Sequence, residues 1–271
     1  MQDFLFLNKR ICIMKDQLGN PIHIKQIPKR IISLVPSQTE LVVDLGMRES
    51  LVGITKFCVH PKSLKSEVEI VGGTKSVHLD KIEALQPDLI LCNKEENTPE
   101  MVKALQQIAE VHIADVITFS DAYQLILDYG ELFQQKEKAR ELVLEIQNQF
   151  KELKVFQLNN KAQKVAYFIW KKPWMVAANH TFINSVLNEL GLENAFAHLE
   201  RYPEVDLQNL PETDWILLSS EPFPFKKDDF SAFVDKRLKL EIVDGESFSW
   251  FGSRMKKTFP YLKELLEKLN S

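Results

Sequence analysis

From residue 30 onward, short apolar runs alternate with longer segments that have helical spacing. Each run is short enough for a buried strand, and the runs fall at 31–35, 51–54, 69–73, 88–92 and 111–116. Apolar residues recur three and four positions apart in the segments between them, namely 39–46, 79–85 and 99–109. Further strands are predicted at 164–170, 214–220 and 240–244, with a helix at 181–191. Buried strands separated by helices are typical of a mostly parallel sheet flanked by helices, so the sequence predicts an α/β fold.

The segment 121–158 separates the two alternating stretches. Its first 36 residues, 121–156, contain no proline and a single glycine, Gly130, and apolar residues recur at helical spacing from Tyr123 to Phe156. This pattern predicts one long helix, or two helices joined near Gly130. A length of 271 residues suits two domains of ordinary size. We therefore expect an N-terminal lobe (1–120) that opens with a β-hairpin, a connecting helix (121–158) and a C-terminal lobe (159–271).

Composition and charge exclude several classes of function. Hydrophobic residues make up 45% and charged residues 27%, which is the balance of a globular protein, and the net charge of −4 gives no broad basic field for nucleic acid. No apolar run approaches the ~18 residues that a membrane span needs. The amino terminus shows no secretory leader, because its longest apolar run is Phe4–Leu7. The sequence as it stands predicts a cytoplasmic protein, or a periplasmic one if a leader was removed or the start is misassigned.

Polar and aromatic residues collect directly after the predicted strands. Ligands of open parallel sheets bind beyond the carboxyl ends of the strands, so these loops are the expected binding surfaces. In the first lobe the candidate ligand-binding residues are Ser37, Lys56, Cys58, His60, Glu95 and Glu96. In the second lobe they are Trp170, Trp174, Arg201, Tyr202, Glu221, Trp250, Phe251 and Arg254.

Three small patterns have both a structural and a functional interpretation. Ser37 and Glu40 fit a capping box at the start of a helix. Cys58 and His60 could ligate a metal, but they are two ligands and would need glutamates from other loops; otherwise they are wall residues or ordinary loop residues. A nucleophile pair would need a third group and an oxyanion hole that no pattern marks, so we expect no enzyme. The loop aromatics, beside lysines and arginines, favour a flat ligand with negative groups.

Several stretches resemble the class III periplasmic binding proteins, and among them most closely the vitamin B12-binding branch. In the first lobe these are RIISLVPSQTELVVDLG, VGIT with a following proline, and VGGT followed by LDKIEALQPDLIL; in the second it is SWFGSRMKK. The resemblance implies two α/β lobes joined by a long backbone helix, with the ligand in the cleft between them and an ABC importer as partner. The B12-binding branch has tryptophans near the positions of Thr74 and Asn93, which this sequence lacks.

The same resemblance implies one acidic residue on each lobe that docks on the transporter. Asp80 occupies the first of these positions, whereas the second reads Gln208, with Glu204 and Asp206 nearby. An importer partner is therefore expected on the evidence of one docking acid only.

The sequence thus predicts non-enzymatic binding of a small molecule, a metal chelate of the siderophore, corrinoid or haem type, without an intrinsic cofactor. Two alternatives stay open. One is a direct metal-ion receptor built on Cys58, His60 and glutamates, and the other is a cytoplasmic sensor or enzyme on the same fold.

Overall fold

The computed structural model describes residues 12–158, 162–235 and 237–271. The chain divides into two compact units. Unit 1 comprises the described residues up to Asp115 together with Gln124–Glu141, and unit 2 comprises Val116–Tyr123 and Leu142–Ser271. In the described residues, no helix combines the length and the apolar character that a membrane crossing requires.

Unit 1 opens with the predicted β-hairpin. Strand β1 (Cys12–Lys15) pairs antiparallel with β2 (Pro21–Ile24). Asp16 closes the turn, because its carboxylate accepts hydrogen bonds from the backbone N–H groups of Leu18 (3.0 Å) and Asn20 (2.8 Å). The residues on which the leader prediction depended, 1–11, lie outside the described residues.

The rest of unit 1 is a parallel sheet flanked by helices. Its elements are β3 (Ile31–Ser33), α1 (Pro36–Asp44), β4 (Leu51–Thr55), α2 (Leu64–Glu67), β5 (Glu69–Gly72), α3 (Leu79–Ala84), β6 (Leu89–Asn93), α4 (Pro99–Leu105) and β7 (Glu110–Ala114). The five strands lie in the order β5-β4-β3-β6-β7, and all neighbours are parallel. The chain runs outward from β3 to β5 and then returns to β6. The loops after β3 and β6 therefore leave the sheet in opposite directions. Sheets of this kind bind ligands at the point between two such loops.

The segment predicted as the connecting helix forms two helices, the second of the two alternatives. They are α5 (Phe119–Leu132) and α6 (Lys136–Gln157). The break contains Gln134 in the left-handed region (φ 55°). A Cβ on Gly130 would lie 2.5 Å from the Cβ of Ala139, so only glycine permits this close approach. Each helix is shared between the units, α5 at 123/124 and α6 at 141/142.

Unit 2 is built on a second, mostly parallel sheet. Its elements are β8 (Lys164–Trp170), β9 (Met175–Val176), α7 (Phe182–Glu189), β10 (Glu193–Asn194), β11 (Trp215–Ser219), β12 (Lys239–Val243), α8 (Glu246–Ser249), α9 (Arg254–Lys257) and α10 (Phe259–Leu269). The strand order is β10-β8-β11-β12, all parallel, and β9 pairs antiparallel with β8. Strands that alternate with helices in both units confirm the predicted α/β fold.

Candidate ligand-binding surfaces

Two buried asparagines organise the carboxyl edge of the unit 1 sheet. Asn93 ends β6, and its side-chain oxygen accepts hydrogen bonds from the backbone N–H groups of Glu95 (2.8 Å) and Glu96 (3.2 Å). Asn97 accepts from the Asn93 N–H (2.8 Å) and donates to the carbonyl of Thr74 (2.8 Å). These bonds satisfy buried backbone groups and tie the loop after β6 to the loop after β5.

Charged groups lie beside these hydrogen bonds between the loops after β5 and β6. Lys75 donates a hydrogen bond to the Glu95 carbonyl. Burial raises the pKa of the Glu96 carboxyl; the neighbouring Glu95 carboxylate acts in the same direction, whereas Lys75 and a hydrogen bond with Thr74 lower it. The loop after β5 therefore supplies the positive charge that opposes two adjacent carboxylates in the loop after β6.

The loop after β4 joins the same surface. The Lys56 ammonium lies 5.1 Å from the centre of the Phe57 ring, and Phe57 is 49% exposed. A Cβ on Gly73 would lie 3.3 Å from the Phe57 ring and 3.7 Å from the Lys56 side chain, so this loop packs against the loop after β5. We call this surface the unit 1 rim: Lys56, Phe57, Gly73, Thr74, Lys75, Glu95 and Glu96.

Cys58 is not part of the rim, which corrects its prediction as a wall residue. Its thiol is fully buried and lies 3.1 Å from the Thr39 hydroxyl and 3.2 Å from the Thr55 hydroxyl. Burial raises its pKa, so the metal-binding thiolate is disfavoured. His60 is half-buried. In the part of the chain that the structure describes, no group of three or more His, Cys, Asp or Glu side chains could hold a metal ion.

The capping box at Ser37 is also corrected. Helix α1 begins at Pro36, and Val35 occupies the N-cap position without a side-chain hydrogen bond. Ser37 is buried inside the first turn, two positions past the N-cap. The helix begins at Pro36 because the proline ring sets the helical φ and its missing N–H needs no partner.

Aromatic side chains cluster at the carboxyl edge of the unit 2 sheet. Trp170 ends β8, Trp174 precedes β9, and Phe223 and Phe225 follow β11. Trp174 stacks on Phe225 (5.7 Å between centroids, 10° between planes), and Phe223 contacts both Phe225 (4.7 Å) and Trp170 (5.7 Å). Trp170 is 40% exposed. Phe225 itself is buried (4% exposed) and supports the stacked Trp174 ring. We call these four residues the aromatic surface.

A lysine and an aspartate hold a further loop beside the aromatic surface. The Lys171 ammonium lies 5.6 Å from the centre of the Trp174 ring and forms an ion pair with Asp229 at 2.5 Å. Asp229 also accepts a hydrogen bond from the Lys226 N–H (2.8 Å). The hydrogen bond with Lys171 is the main reason why the pKa of Asp229 is lowered. The pair fixes the 3-10 helix Lys227–Ala232 against the loop after β8.

A third group of predicted residues surrounds Glu221. Its carboxylate accepts hydrogen bonds from the Trp250 indole N–H (2.7 Å) and the Ser249 hydroxyl (3.0 Å). Burial raises the pKa of Glu221. Trp250 is only 8% exposed and Phe251 is equally buried, packing edge-on against the Phe182 ring at 5.9 Å. Trp250 and Phe251 are predicted ligand-binding residues, and this burial leaves little of either ring exposed.

The remaining predicted residues lie on loops, on helix α3 and on a 3-10 helix. Arg201 packs over Tyr202 at 5.7 Å and donates to the carbonyl of His180 (3.1 Å). Asp80 is exposed in the first turn of α3. Gln208 lies in the 3-10 helix Leu207–Asn209, where Asp206 accepts its N–H bond (3.0 Å), and Glu204 is exposed nearby.

Sequence reasoning missed residues that the structure places at these surfaces. Phe57 and Lys75 had a usable signal, because both follow predicted strands, and Phe57 stands in the same loop as Lys56 and Cys58. Asp229 had none, since it lies in an unpatterned stretch 58 positions from Lys171 along the chain.

The sequence of the chain matches the model of a known family and several curated relatives. Residues 31–239 match the family described as periplasmic binding protein. The uncharacterized ABC transporter substrate-binding lipoprotein YvrC of Bacillus subtilis is 29% identical over 215 residues, which are 76% of this chain and 63% of the relative. The vitamin B12-binding protein of Vibrio parahaemolyticus is 26% identical over 186 residues, 67% of this chain and 66% of that protein. The matched region thus spans slightly less than two thirds of these relatives.

Solved structures share the fold. A periplasmic heme-binding protein from Pseudomonas aeruginosa superposes with a TM-score of 0.77 at 20% identity, covering 90% of this chain and 94% of the other. The periplasmic vitamin B12-binding protein BtuF of Vibrio cholerae gives 0.74 at 20% identity, covering 90% and 98%.

These findings correct one prediction and decide another. The predicted cytoplasmic location is wrong, because the matched family consists of periplasmic proteins and the Bacillus relative is a lipoprotein, which points to an extracytoplasmic location. The expectation of a binding protein rather than an enzyme agrees with the family. The chain belongs to the periplasmic binding protein family.

Proposed function

We propose that this protein binds a metal chelate of the siderophore, corrinoid or haem type and delivers it to an ABC importer. The observation that carries this proposal is the aromatic surface at the carboxyl ends of β8 and β11, with Lys171 against one of its rings. Flat conjugated ligands gain contact area on such rings, and lysines pair with their acidic groups. Relatives named as a substrate-binding lipoprotein of an ABC transporter and as vitamin B12-binding proteins support it.

The unit 1 rim supports the same ligand chemistry. It combines two lysines, Lys56 and Lys75, with a half-exposed aromatic ring, Phe57. Carboxylate or catecholate oxygens would pair with the ammonium groups, and the ring would supply apolar contact. The carboxylates of Glu95 and Glu96 disfavour additional negative charge, so the lysines are the expected contacts for an anion.

Titration of the purified protein with haemin, cyanocobalamin and a ferric catecholate siderophore tests the ligand class. Calorimetry and visible absorption spectra give the affinity of each, and metal analysis of the protein taken from its own host identifies a resident chelate. A chromophore released from the protein as an intact metal chelate supports the proposal, whereas a metal ion released without an organic ligand favours a direct metal-ion site. Failure of all three ligands to bind with a Kd below about 100 μM, roughly −5.5 kcal/mol, would count against it.

Tryptophan variants test the aromatic surface. Trp170→Ala removes an exposed ring, and loss of one stacked ring is expected to weaken binding by about 1–1.5 kcal/mol, or roughly 5–10-fold. Trp215→Phe is the matched control, since Trp215 begins β11 at the opposite end from the aromatic surface and its indole N–H donates to the Leu269 carbonyl (3.2 Å). Equal losses of affinity in both variants would contradict the assignment.

Contact with the importer is tested at Asp80. This carboxylate is exposed in the first turn of α3, where it can meet a basic group of a transporter. Asp80→Asn is expected to reduce stimulation of the importer's ATPase in proteoliposomes while leaving the affinity for ligand unchanged. An unchanged ATPase response would remove Asp80 from the docking surface.

A further inference from the structure

Several groups of unit 2 hold Glu221, which is half-buried. The Ser219 hydroxyl donates to the Glu221 carbonyl at 2.5 Å, and the carboxylate receives the bonds from Ser249 and Trp250. A Cβ on Gly245 would lie 2.4 Å from the Cγ of Glu221 and 2.6 Å from the Ser219 hydroxyl. Only a glycine at position 245 leaves room for the Glu221 side chain, and the space leaves that side chain little freedom to move.

The Trp250 ring in turn contacts an arginine. The Arg254 guanidinium lies 5.3 Å from the centre of the Trp250 ring, and its Nη1 lies 3.5 Å from the carboxylate of Glu246. A cation over an indole is held by the ring's negative face, so a shift of the ring moves the cation with it. Glu221, Trp250 and Arg254 form a chain of contacts that ends in a positive charge.

We propose that Glu221 is a positioning residue of the ligand site: its carboxylate fixes the Trp250 ring, which holds the Arg254 guanidinium in place for an anionic group of the ligand. This role rests on the proposed function. A carboxylate is the suitable anchor because a hydrogen bond from an N–H to a charged oxygen is roughly twice as strong as one to a neutral oxygen. When the carboxyl is protonated, that advantage is lost and the ring is released.

The surroundings of Glu221 set the pH at which this happens. Burial raises its pKa above the ordinary value of 4.5, and the acidic neighbours Glu246 and Asp244 add to the rise, while the bonds from Ser249 and Trp250 oppose it. The buried phenol of Tyr167, which donates to Ser219 at 3.1 Å, lies in the same group, and Arg254 faces Glu246. Positioning is therefore lost as the pH falls, beginning above 4.5.

A fluorescence titration tests the positioning without any ligand. The emission of the wild-type protein minus that of Trp250→Phe isolates the Trp250 signal. This difference is expected to change with pH at a midpoint above 4.5 and to stay flat in Glu221→Gln. Glu241→Gln is the matched control, because Glu241 is a partly buried glutamate of the same unit that pairs with Lys268 instead. A Trp250 signal with the same transition in Glu221→Gln would overturn the positioning role.

Binding of haemin and of haemin dimethyl ester tests the link to the anion. Glu221→Gln and Arg254→Met are each expected to weaken haemin binding about 5–10-fold, and the double variant no further, because both act on one contact. The ester, whose propionate groups carry no negative charge, should bind all variants equally. Losses that multiply in the double variant, or that are equal for the ester, would overturn the assignment. A wild-type protein that binds neither probe nor any other chelate fails the proposed function, whereas the fluorescence result decides the positioning of Trp250 separately.

Discussion

Replacement of His112 by leucine should make the stability of unit 1 less sensitive to acid. His112 lies on β7, is fully buried and contacts the Tyr129 ring edge-on at 5.2 Å. Among the described residues, neither ring nitrogen has a hydrogen-bond partner on another residue. Burial lowers its pKa from 6.5 to about 4, although the carboxylate of Asp16 acts in the opposite direction. The ring is therefore neutral in the folded protein at pH 5 and charged in the unfolded chain.

The sign and size of the effect follow from these two values. The folded state binds fewer protons, so stability is lost as the pH falls below 6.5, and the loss is complete near 4. Linkage gives a penalty of about 0.2 kcal/mol at pH 7 and about 2 kcal/mol at pH 5. Wild type should thus lose about 2 kcal/mol between these pH values through His112, and His112→Leu should lose none of it.

Hydrogen exchange of the β7 amides, followed by mass spectrometry at both pH values, measures this loss in unit 1. Tryptophan fluorescence serves as the internal reference, because all four tryptophans lie in unit 2. His23→Gln is the control variant, since His23 is exposed on β2 of the same unit. If β7 in His112→Leu lost as much protection between pH 7 and 5 as in wild type, His112 would not be the responsible group.

Two further predictions concern buried thiols and glycines. Cys58 and Cys92 are fully buried and burial raises the pKa of each, that of Cys92 to about 12, so iodoacetamide at pH 8 should label neither in the folded protein and both in urea; rapid native labelling would show that the burial is wrong. Gly72→Ala should cost about 2–3 kcal/mol of unfolding free energy, because φ is 135° and a Cβ would lie 2.6 Å from the Ser76 carbonyl. Gly19→Ala, at φ 85° with nothing within 4 Å, should cost only about 1 kcal/mol, and equal losses in urea titrations would refute the steric argument.

Local patterns were sufficient to predict the sheets and the hairpin. The strands β3 and β6 are buried on both faces and therefore read as continuous apolar runs, and the turn at Asp16 uses residues whose side chains bond to nearby backbone. The division between α5 and α6 needed tertiary information. No proline marks it, and Gly130 left one helix and two helices as alternatives. The close approach of Gly130 to Ala139 accompanies the division into two.

The positions of the site residues were harder to predict, because burial depends on partners far away in sequence. Cys58 follows a strand like Lys56, yet its thiol packs against hydroxyls of β4 and α1 and leaves the surface. Trp250 is an aromatic residue in a loop, which favours a binding role. However, Glu221, 29 positions earlier, accepts a hydrogen bond from its indole N–H, and the ring is buried. Position after a strand therefore identified loops that lie at the carboxyl edges of the sheets, without distinguishing which side chains in them face outward.

The sharing of α5 and α6 between the units has a practical consequence for dissecting this protein. A fragment that ends at Asp115 lacks Gln124–Glu141, and with it Tyr129, whose hydroxyl donates to the buried side chain of Gln38 at 2.8 Å. Removal of that partner would strand a polar amide in the core of the truncated piece. Neither half can be liberated by a single cut, so autonomous expression of one half would require splicing distant stretches of the polypeptide together.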